Sequence, residues 1–258
     1  MQIGVNYPWI DYGWDFGDPP RAWVAADRVE GWKDSRRKQV AADFGLFASE
    51  GLFAVRWFLT GDGLNYGMGA EAPRQTGGTW TFDPLPEGHP YYGRVLEDFL
   101  FVLRVCRDTG LRLLPVLVDF SWCKKGVVAA ENPAVIKCGR ADVIRDPRKR
   151  EVFFDRLLAP LLACSVPYRD SIYAWELINE PEWAAAEPGR WWRRDGSGRV
   201  RREEMADFIR EGARRIDSVQ LPDGGRAFRS TVGFAHWESL ETWDAAGLGL
   251  TLHQFHYY

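Results

Sequence analysis

Cysteine is scarce in this chain. Its 258 residues include only Cys106, Cys123, Cys138 and Cys164, and none of these forms a Cys-x-x-Cys pair. A zinc site is therefore not expected. Cys106 and Cys164 fall on apolar helix faces, where a reduced, buried thiol is the usual state. Cys123 and Cys138 share one loop and could bridge, with free thiols the expected state. A surplus of one charge is also missing. The formal charge of -3 gives no reason to expect nucleic acid or a membrane as partner. No apolar run approaches the ~20 residues of a membrane span. The first residues, Met1 to Pro8, show no basic start followed by an apolar stretch, so no secretion leader is read there. A cytoplasmic protein is expected if that terminus is native, and a secreted one if a leader has been removed. No internal repeat, low-complexity linker or composition shift divides the chain. No Gly-rich phosphate fingerprint follows the first apolar run, which weighs against a dinucleotide fold. No His-x-His or compact His/Asp cluster suggests a metal, and no cofactor is implied.

What is present is an alternation of short apolar runs with amphipathic stretches. The runs are Ile3–Asn6, Leu52–Leu59, Leu113–Val118, Ser171–Ile178, Phe228–Phe234 and Leu248–His256. Helices are predicted near 34–49, 91–109, 147–163, 202–218 and 238–246. The second is the clearest: Val95, Phe99, Val102, Leu103 and Cys106 recur at helical spacing, and Gly110 stops it. Pro115 is a departure from a good central strand. Pro160 is expected to kink or end its helix. The stretch 60–90 and the stretch from the third run to Asp142 read as loops. Strands apolar on both faces, alternating with helices, argue an α/β domain with a parallel sheet. The pattern fits either an open doubly wound sheet or a closed barrel.

The stretch Trp175-Glu176-Leu177-Ile178-Asn179-Glu180-Pro181 carries the most chemistry. An apolar strand runs into a carboxylate, and Pro181 forbids the ladder from continuing. Glu180 at a strand tip in a partly desolvated cleft suits a proton donor working near neutrality. Its bland alternative is a surface Glu capping a loop. Glu176 lies four residues earlier on the same strand, and a carboxylate inside a buried strand needs a partner. Arg56, in the equally apolar Val55-Arg56-Trp57-Phe58, is the candidate; a purely structural ion pair is an equal reading. Asn179 can donate to a sugar hydroxyl or simply end a strand. Asp119 ends the third run, as a rim hydrogen-bonder or as a turn cap.

Tryptophan is abundant, and its placement matters. Trp9, Trp14, Trp80, Trp122, Trp183, Trp191, Trp192 and Trp237 all fall in loops following strands. In a barrel those loops share one mouth. Aromatic faces bury the C–H faces of sugar rings, so Trp9, Trp14, Trp122, Trp183 and Trp237 are candidate substrate platforms. Stacking on nucleic acid would want basic residues alongside. The local basic cluster Arg190, Arg193 and Arg194 reads as a solvated loop. His236 is a weaker candidate than Trp237, and His253 is read as a packing residue.

The Asn179-Glu180-Pro181 element resembles the acid/base signature of the clan A glycoside hydrolases, and the chain is similar to glycoside hydrolase family 5. Arg56, the opening Asn6-Tyr7-Pro8-Trp9, and Gln254-Phe255-His256-Tyr257-Tyr258, which looks like the family's His-x-Tyr element, extend the resemblance. It implies a (β/α)8 TIM barrel, with only about the first six β/α units in residues 1–258, as a single catalytic domain. It further implies a retaining hydrolase of a β-linked glycan or glycoside, cellulase- or mannanase-like, with Glu180 as acid/base. Asn179, Arg56, Glu176, His256 and Tyr258 would be supporting residues. The nucleophilic Glu would sit at the end of a seventh strand, beyond residue 258. A missing C-terminal segment, or a second chain, is expected to complete the barrel. The rival reading is a carbohydrate-binding barrel without catalysis. Other carboxylates, Glu182 and Asp62 among them, have no motif behind them.

Overall fold

The computed structural model describes residues 2–8, 29–61, 74–76, 79–81, 87–88, 90–129, 132–186 and 200–257. Six strands form one sheet: β1 (Gly4–Asn6), β2 (Ala54–Phe58), β3 (Arg112–Asp119), β4 (Trp175–Asn179), β5 (Ser230–Phe234) and β6 (Gln254–Phe255). Every neighbouring pair is parallel, and spatial order follows chain order from first to last. That order separates the two architectures the sequence allows. A doubly wound sheet reverses at a switch point. A sheet wound one way only, with right-handed crossovers, curls towards a barrel. The strands accordingly form a curled half-barrel with helices between them, a partial (β/α) barrel.

The helices fill the crossovers. α1 (Val29–Ser49) follows β1, and α2 (Pro90–Thr109) follows β2. α3 (Ala141–Arg145), α4 (Pro147–Phe153) and α5 (Ala159–Ser165) follow β3. α6 (Arg202–Asp217) follows β4, and the single turn α7 (Ser239–Thr242) follows β5. The predicted apolar face of α2 is the one buried: Val95, Phe99, Val102, Leu103 and Cys106 all enter the core. Gly110 ends that helix at φ +77°, a conformation that costs glycine nothing. Phe99 then meets Trp175 of β4 with ring centroids 5.5 Å apart, linking helix layer to sheet. All five residues of β4 are buried, as expected of a strand covered on both faces.

Several elements differ from their sequence expectation. The predicted fourth strand begins at Ser171, but residues Val166–Ser171 form a 3₁₀ turn and β4 starts at Trp175. The predicted sixth strand, 248–256, shrinks to Gln254–Phe255. Leu248 and Leu250 are buried without joining the ladder, because Thr251 and Leu252 turn back onto the Ser230 carbonyl. Burial of a loop's apolar side chains imitates a strand in sequence. The predicted loop after β3 contains a 3₁₀ turn (Phe120–Cys123) and an antiparallel hairpin, Val127–Ala129 with Asn132–Lys137. A second small hairpin, Arg74–Thr76 with Thr79–Thr81, lies in the predicted loop before α2. Pro160 does not end its helical region. A π turn (Phe154–Leu158) just before α5 absorbs the missing N–H, and the helix continues to Ser165.

Pro115 is held within β3 by a side-chain substitute. The ladder towards β4 begins with the Tyr173 N–H donating to the Leu113 carbonyl. Two residues on, regular pairing would ask residue 115 to donate to the Tyr173 carbonyl, and proline has no N–H. That carbonyl accepts instead from Nε (3.1 Å) and Nη2 (2.7 Å) of Arg229, the residue just before β5. No helix among the described residues is long and apolar enough to cross a membrane.

Candidate active site at the rim of the half-barrel

The concave face is organised around one guanidinium. Arg56 on β2 donates to Glu176 on β4 through Nε (2.8 Å) and Nη2 (2.5 Å), crossing over β3. Nη2 also reaches Asn179 Oδ1 (2.7 Å), and Nη1 reaches Asn6 Oδ1 (3.1 Å). Gln254 on β6 donates to Glu176 Oε2 at 3.0 Å, crossing over β5 to the oxygen that also accepts from Arg56 Nε. Curling of the sheet is what allows next-but-one strands to meet. Glu176 is fully buried, so its charge is tolerable only because this planar fork neutralises it. Burial alone would lower the Arg56 pKa. The charges of Glu176, Glu180 and Asp119 outweigh it and hold the guanidinium above its ordinary value.

β4 delivers its polar residues through an irregular register. Against β5 it pairs Thr231 with Glu176 and then Gly233 with Asn179, so β4 carries one extra residue. Strict alternation would send Asn179 to the face opposite Glu176. The bulge re-aims it, and both side chains converge on Arg56. Asn179 Nδ2 also donates to Asp119 Oδ2 (2.7 Å), while the second oxygen of Asp119 accepts the Ser121 N–H (2.9 Å). Asp119 therefore caps the following turn and also braces Asn179. Burial, helped by the charge of Glu180, raises its pKa although these hydrogen bonds oppose the shift.

Glu180 follows immediately. Its backbone is left-handed, at φ +48° and ψ +57°, although it is neither glycine nor asparagine and stands before a proline. Such a conformation costs on the order of 1–3 kcal/mol and persists where its surroundings over-determine it. Here the Glu180 N–H is tied to the Gly233 carbonyl at 2.7 Å, and Pro181 starts a 3₁₀ turn. The strained turn puts the buried carboxyl against His256, with Oε1 2.9 Å from Nδ1. His256 is itself fixed by its N–H to the Phe234 carbonyl (2.7 Å). Glu180 is thus not a surface cap. It is a buried carboxyl at a strand tip, paired with an imidazole and near the Arg56 network.

Gly233 makes this convergence possible. A Cβ there would come within 2.3 Å of Glu176 Oε1 and 2.9 Å of His256 Nε2. A lone glycine inside Thr231-Val232-Gly233-Phe234 is the signal that would have identified it from sequence. Gln254 stands two residues before His256, and its place in that element gave no hint of its bond to Glu176. Glu182 had no motif at all, yet it is buried at the same rim, accepting the Ala235 N–H at 2.9 Å.

The aromatic candidates divide. Trp237 is 57% exposed on the loop after β5. Trp183 is half-buried beside it, its ring 5.9 Å from His236 in an edge-to-face arrangement. Trp122 is a correction: it is fully buried against Phe153, at 5.3 Å between rings, and presents no face to a substrate. The 3₁₀ turn after Asp119 folds it inward, which loop position could not reveal. His253 is a second correction, because it is exposed and does not pack. Tyr7 points away from the site, its hydroxyl 2.6 Å from Asp43 on α1. The candidates Trp9, Trp14 and Tyr258, together with Trp191, Trp192 and Asp62, lie outside the described residues, as does the side chain of Trp80. None of the four cysteines is in a disulfide. Among the described residues no group of three or more His, Cys, Asp or Glu is arranged to hold a metal ion.

No family model matches the sequence, and neither does any curated protein. The fold, in contrast, has clear counterparts. A β-mannanase from the blue mussel Mytilus edulis superposes with a TM-score of 0.63 at 17% identity, over 100% of this chain and 70% of that one. An endo-1,4-β-mannanase from Eisenia fetida gives 0.64 at 17% identity, over 100% and 68%. An exo-β-1,4-mannosidase from Opitutaceae bacterium strain TAV5 gives 0.55 at 18% identity, over 99% of this chain and 38% of that one. At such identities the likeness is one of fold, and it establishes the (β/α) barrel.

Proposed function

We propose that this chain is the acid/base-bearing part of a retaining glycoside hydrolase acting on a β-linked glycan or glycoside. The observation that carries the reading is the buried Glu180 carboxyl, held in a strained turn at the tip of β4 against His256, beside the Arg56–Glu176–Asn179–Asp119 network. Likeness of fold to mannanases and a mannosidase supports a β-mannan or β-mannoside as substrate class.

In this reading Glu180 protonates the glycosidic oxygen as the bond to the anomeric carbon breaks. A second carboxylate attacks that carbon, about 5–5.5 Å away in a retaining enzyme. By resemblance it belongs to a seventh strand, beyond Tyr258. Glu180, then deprotonated, takes a proton from the water that releases the sugar. Asn179 lies beside Glu180 with its amide already oriented by Asp119 and Arg56, suited to holding a sugar hydroxyl. Arg56 braces the carboxylates and offsets the charge of Glu176. Trp183 and Trp237 supply apolar faces for the sugar rings. No metal or organic cofactor enters the scheme.

Glu180→Gln tests it. Turnover of a glycoside with a poor leaving group should fall by about 10²–10⁴-fold, with folding and sugar binding retained. Unchanged turnover refutes the assignment. Sugar binding without any hydrolysis by the wild type would favour the non-catalytic barrel.

A further inference from the structure

We propose that Glu182 is a positioning residue, fastening the aromatic rim after β5 to the turn that carries Glu180. The inference rests on the glycosidase reading for its consequence and on independent geometry for its mechanism. Glu182 sits two residues past Glu180, within the single 3₁₀ turn Pro181–Trp183. Its side chain turns away from water, with the residue only 9% exposed. Oε1 accepts the Ala235 N–H at 2.9 Å, a buried hydrogen bond between segments 53 residues apart. Ala235 is followed by His236 and Trp237, the two aromatic rings that face Trp183 and solvent. Within that short loop the backbone closes its own turn, Ser239 N–H to the His236 carbonyl and Leu240 N–H to the Trp237 carbonyl. The bond to Ala235, together with a side-chain bond to Ser239, ties this turn to the one that carries the acid.

A leucine or glutamine of similar volume would fill this space at lower desolvation cost. Burying a carboxyl to secure a backbone N–H and the Ser239 side chain is expensive unless the charge itself is useful. The cost is visible: burial raises the Glu182 pKa, opposed by the Ser239 side chain and backbone N–H groups and reinforced by the charge of Glu180. The ionisable groups around it are Glu180 on its own turn and His236 on the rim loop. Beyond Glu180 come Asp119, Arg56 and His256, and the buried Cys123 thiol lies in the 3₁₀ turn that packs on this one. The charge of Glu180 acts on the Glu182 carboxyl, and such coupling is reciprocal, so a charge on Glu182 opposes ionisation of the proton donor. One side chain would then set two things: where Trp237 stands relative to the acid, and how readily the acid gives up its proton.

Glu182→Gln and Glu182→Ala in the full chain separate these effects. The Gln side chain keeps an acceptor for Ala235 and loses the charge; the Ala side chain loses both. Hydrogen exchange of the Ala235 amide needs no substrate. It should speed up on the order of tenfold or more in Glu182→Ala and stay within about threefold of wild type in Glu182→Gln. With mannotetraose as probe, Glu182→Ala should raise KM on the order of tenfold with kcat within about threefold. Glu182→Gln should leave KM in place and move the alkaline limb of the pH–rate profile down by about half to one pH unit. An Ala235 amide that exchanges equally in all three proteins overturns the clamp. A released loop with unchanged KM overturns its role in the rim, and superimposable pH profiles overturn the electrostatic part. Retention of hydrolysis by Glu180→Gln would instead refute the underlying glycosidase reading, leaving the exchange result standing.

Discussion

Gly233→Ala is the sharpest test of how the site is assembled. The methyl group would arrive 2.3 Å from Glu176 Oε1, 3.0 Å from Glu176 Cδ and 2.9 Å from His256 Nε2. None of these atoms yields cheaply. Glu176 is fully buried and bound by Arg56 from one side and Gln254 from the other. His256 is tied through its backbone to Phe234 and through Nδ1 to Glu180. Backbone conformation contributes nothing, because Gly233 is not among the glycines with positive φ. Overpacking alone costs about 1–3 kcal/mol, and breaking a buried ion pair about 3–5 kcal/mol. Partial displacement of Glu176 should therefore destabilise the fold by about 2–4 kcal/mol. For a domain of this size that is a fall in Tm of about 5–15 °C. Gly45→Ala is the control. Gly45 lies exposed on α1, and a methyl group added there would meet nothing within 4 Å, so the substitution should stabilise by about 0.5–1 kcal/mol. Chemical denaturation followed by circular dichroism measures both. A loss below about 0.5 kcal/mol in Gly233→Ala would refute the claim that Glu176 and His256 close over a glycine-sized gap.

Further outcomes follow from the same network and from the thiols. Arg56→Lys should cost about 2–4 kcal/mol in the same denaturation assay, since an ammonium cannot span Glu176, Asn179 and Asn6 together. Burial pushes the Cys106 thiol up to about 12 and the half-buried Cys164 thiol up to about 11. Iodoacetamide at about pH 8 should therefore leave Cys106 unmodified until the protein unfolds, as peptide mass mapping would show. Asp119 and Glu182 both have native pKa values raised by burial. Between the ordinary carboxylate range and those raised values, the native state holds more protons than the unfolded state. Stability should then fall as pH rises through that window, and Asp119→Asn should flatten the slope, measured as Tm against pH.

Much of the fold was legible because parallel β/α units write themselves plainly. β3 is a continuous apolar run from Leu113 to Val118, β2 is apolar apart from Arg56, and α2 carries an unbroken helical stripe ending at a glycine. The weaker elements misled for specific reasons. Leu248 and Leu250 are apolar because a loop is buried, not because a strand runs there. The hairpin Val127–Ala129 with Asn132–Lys137 lies among turn residues and charges that read as loop. Among site candidates, Arg56, Glu176, Asn179 and Asp119 meet in one network with the Glu180–His256 pair beside it, since polar residues in apolar strands need partners. Trp122 did not reach the mouth, because a 3₁₀ turn reverses the side on which its ring falls.

The amino-acid sequence by itself determined which residues carry charge into apolar strands, where each strand stops, and that a proline follows the carboxyl at residue 180. Those are local facts, written in hydrophobic pattern and backbone chemistry. Only the tertiary structure decided that the strands wind in one direction, that a bulge turns Asn179 inward, that Gly233 leaves room for Glu176 and His256, and that Glu182 reaches across to Ala235. Each of these depends on where a neighbouring strand lies, and the distance between strands along the chain is too great for sequence spacing to fix it.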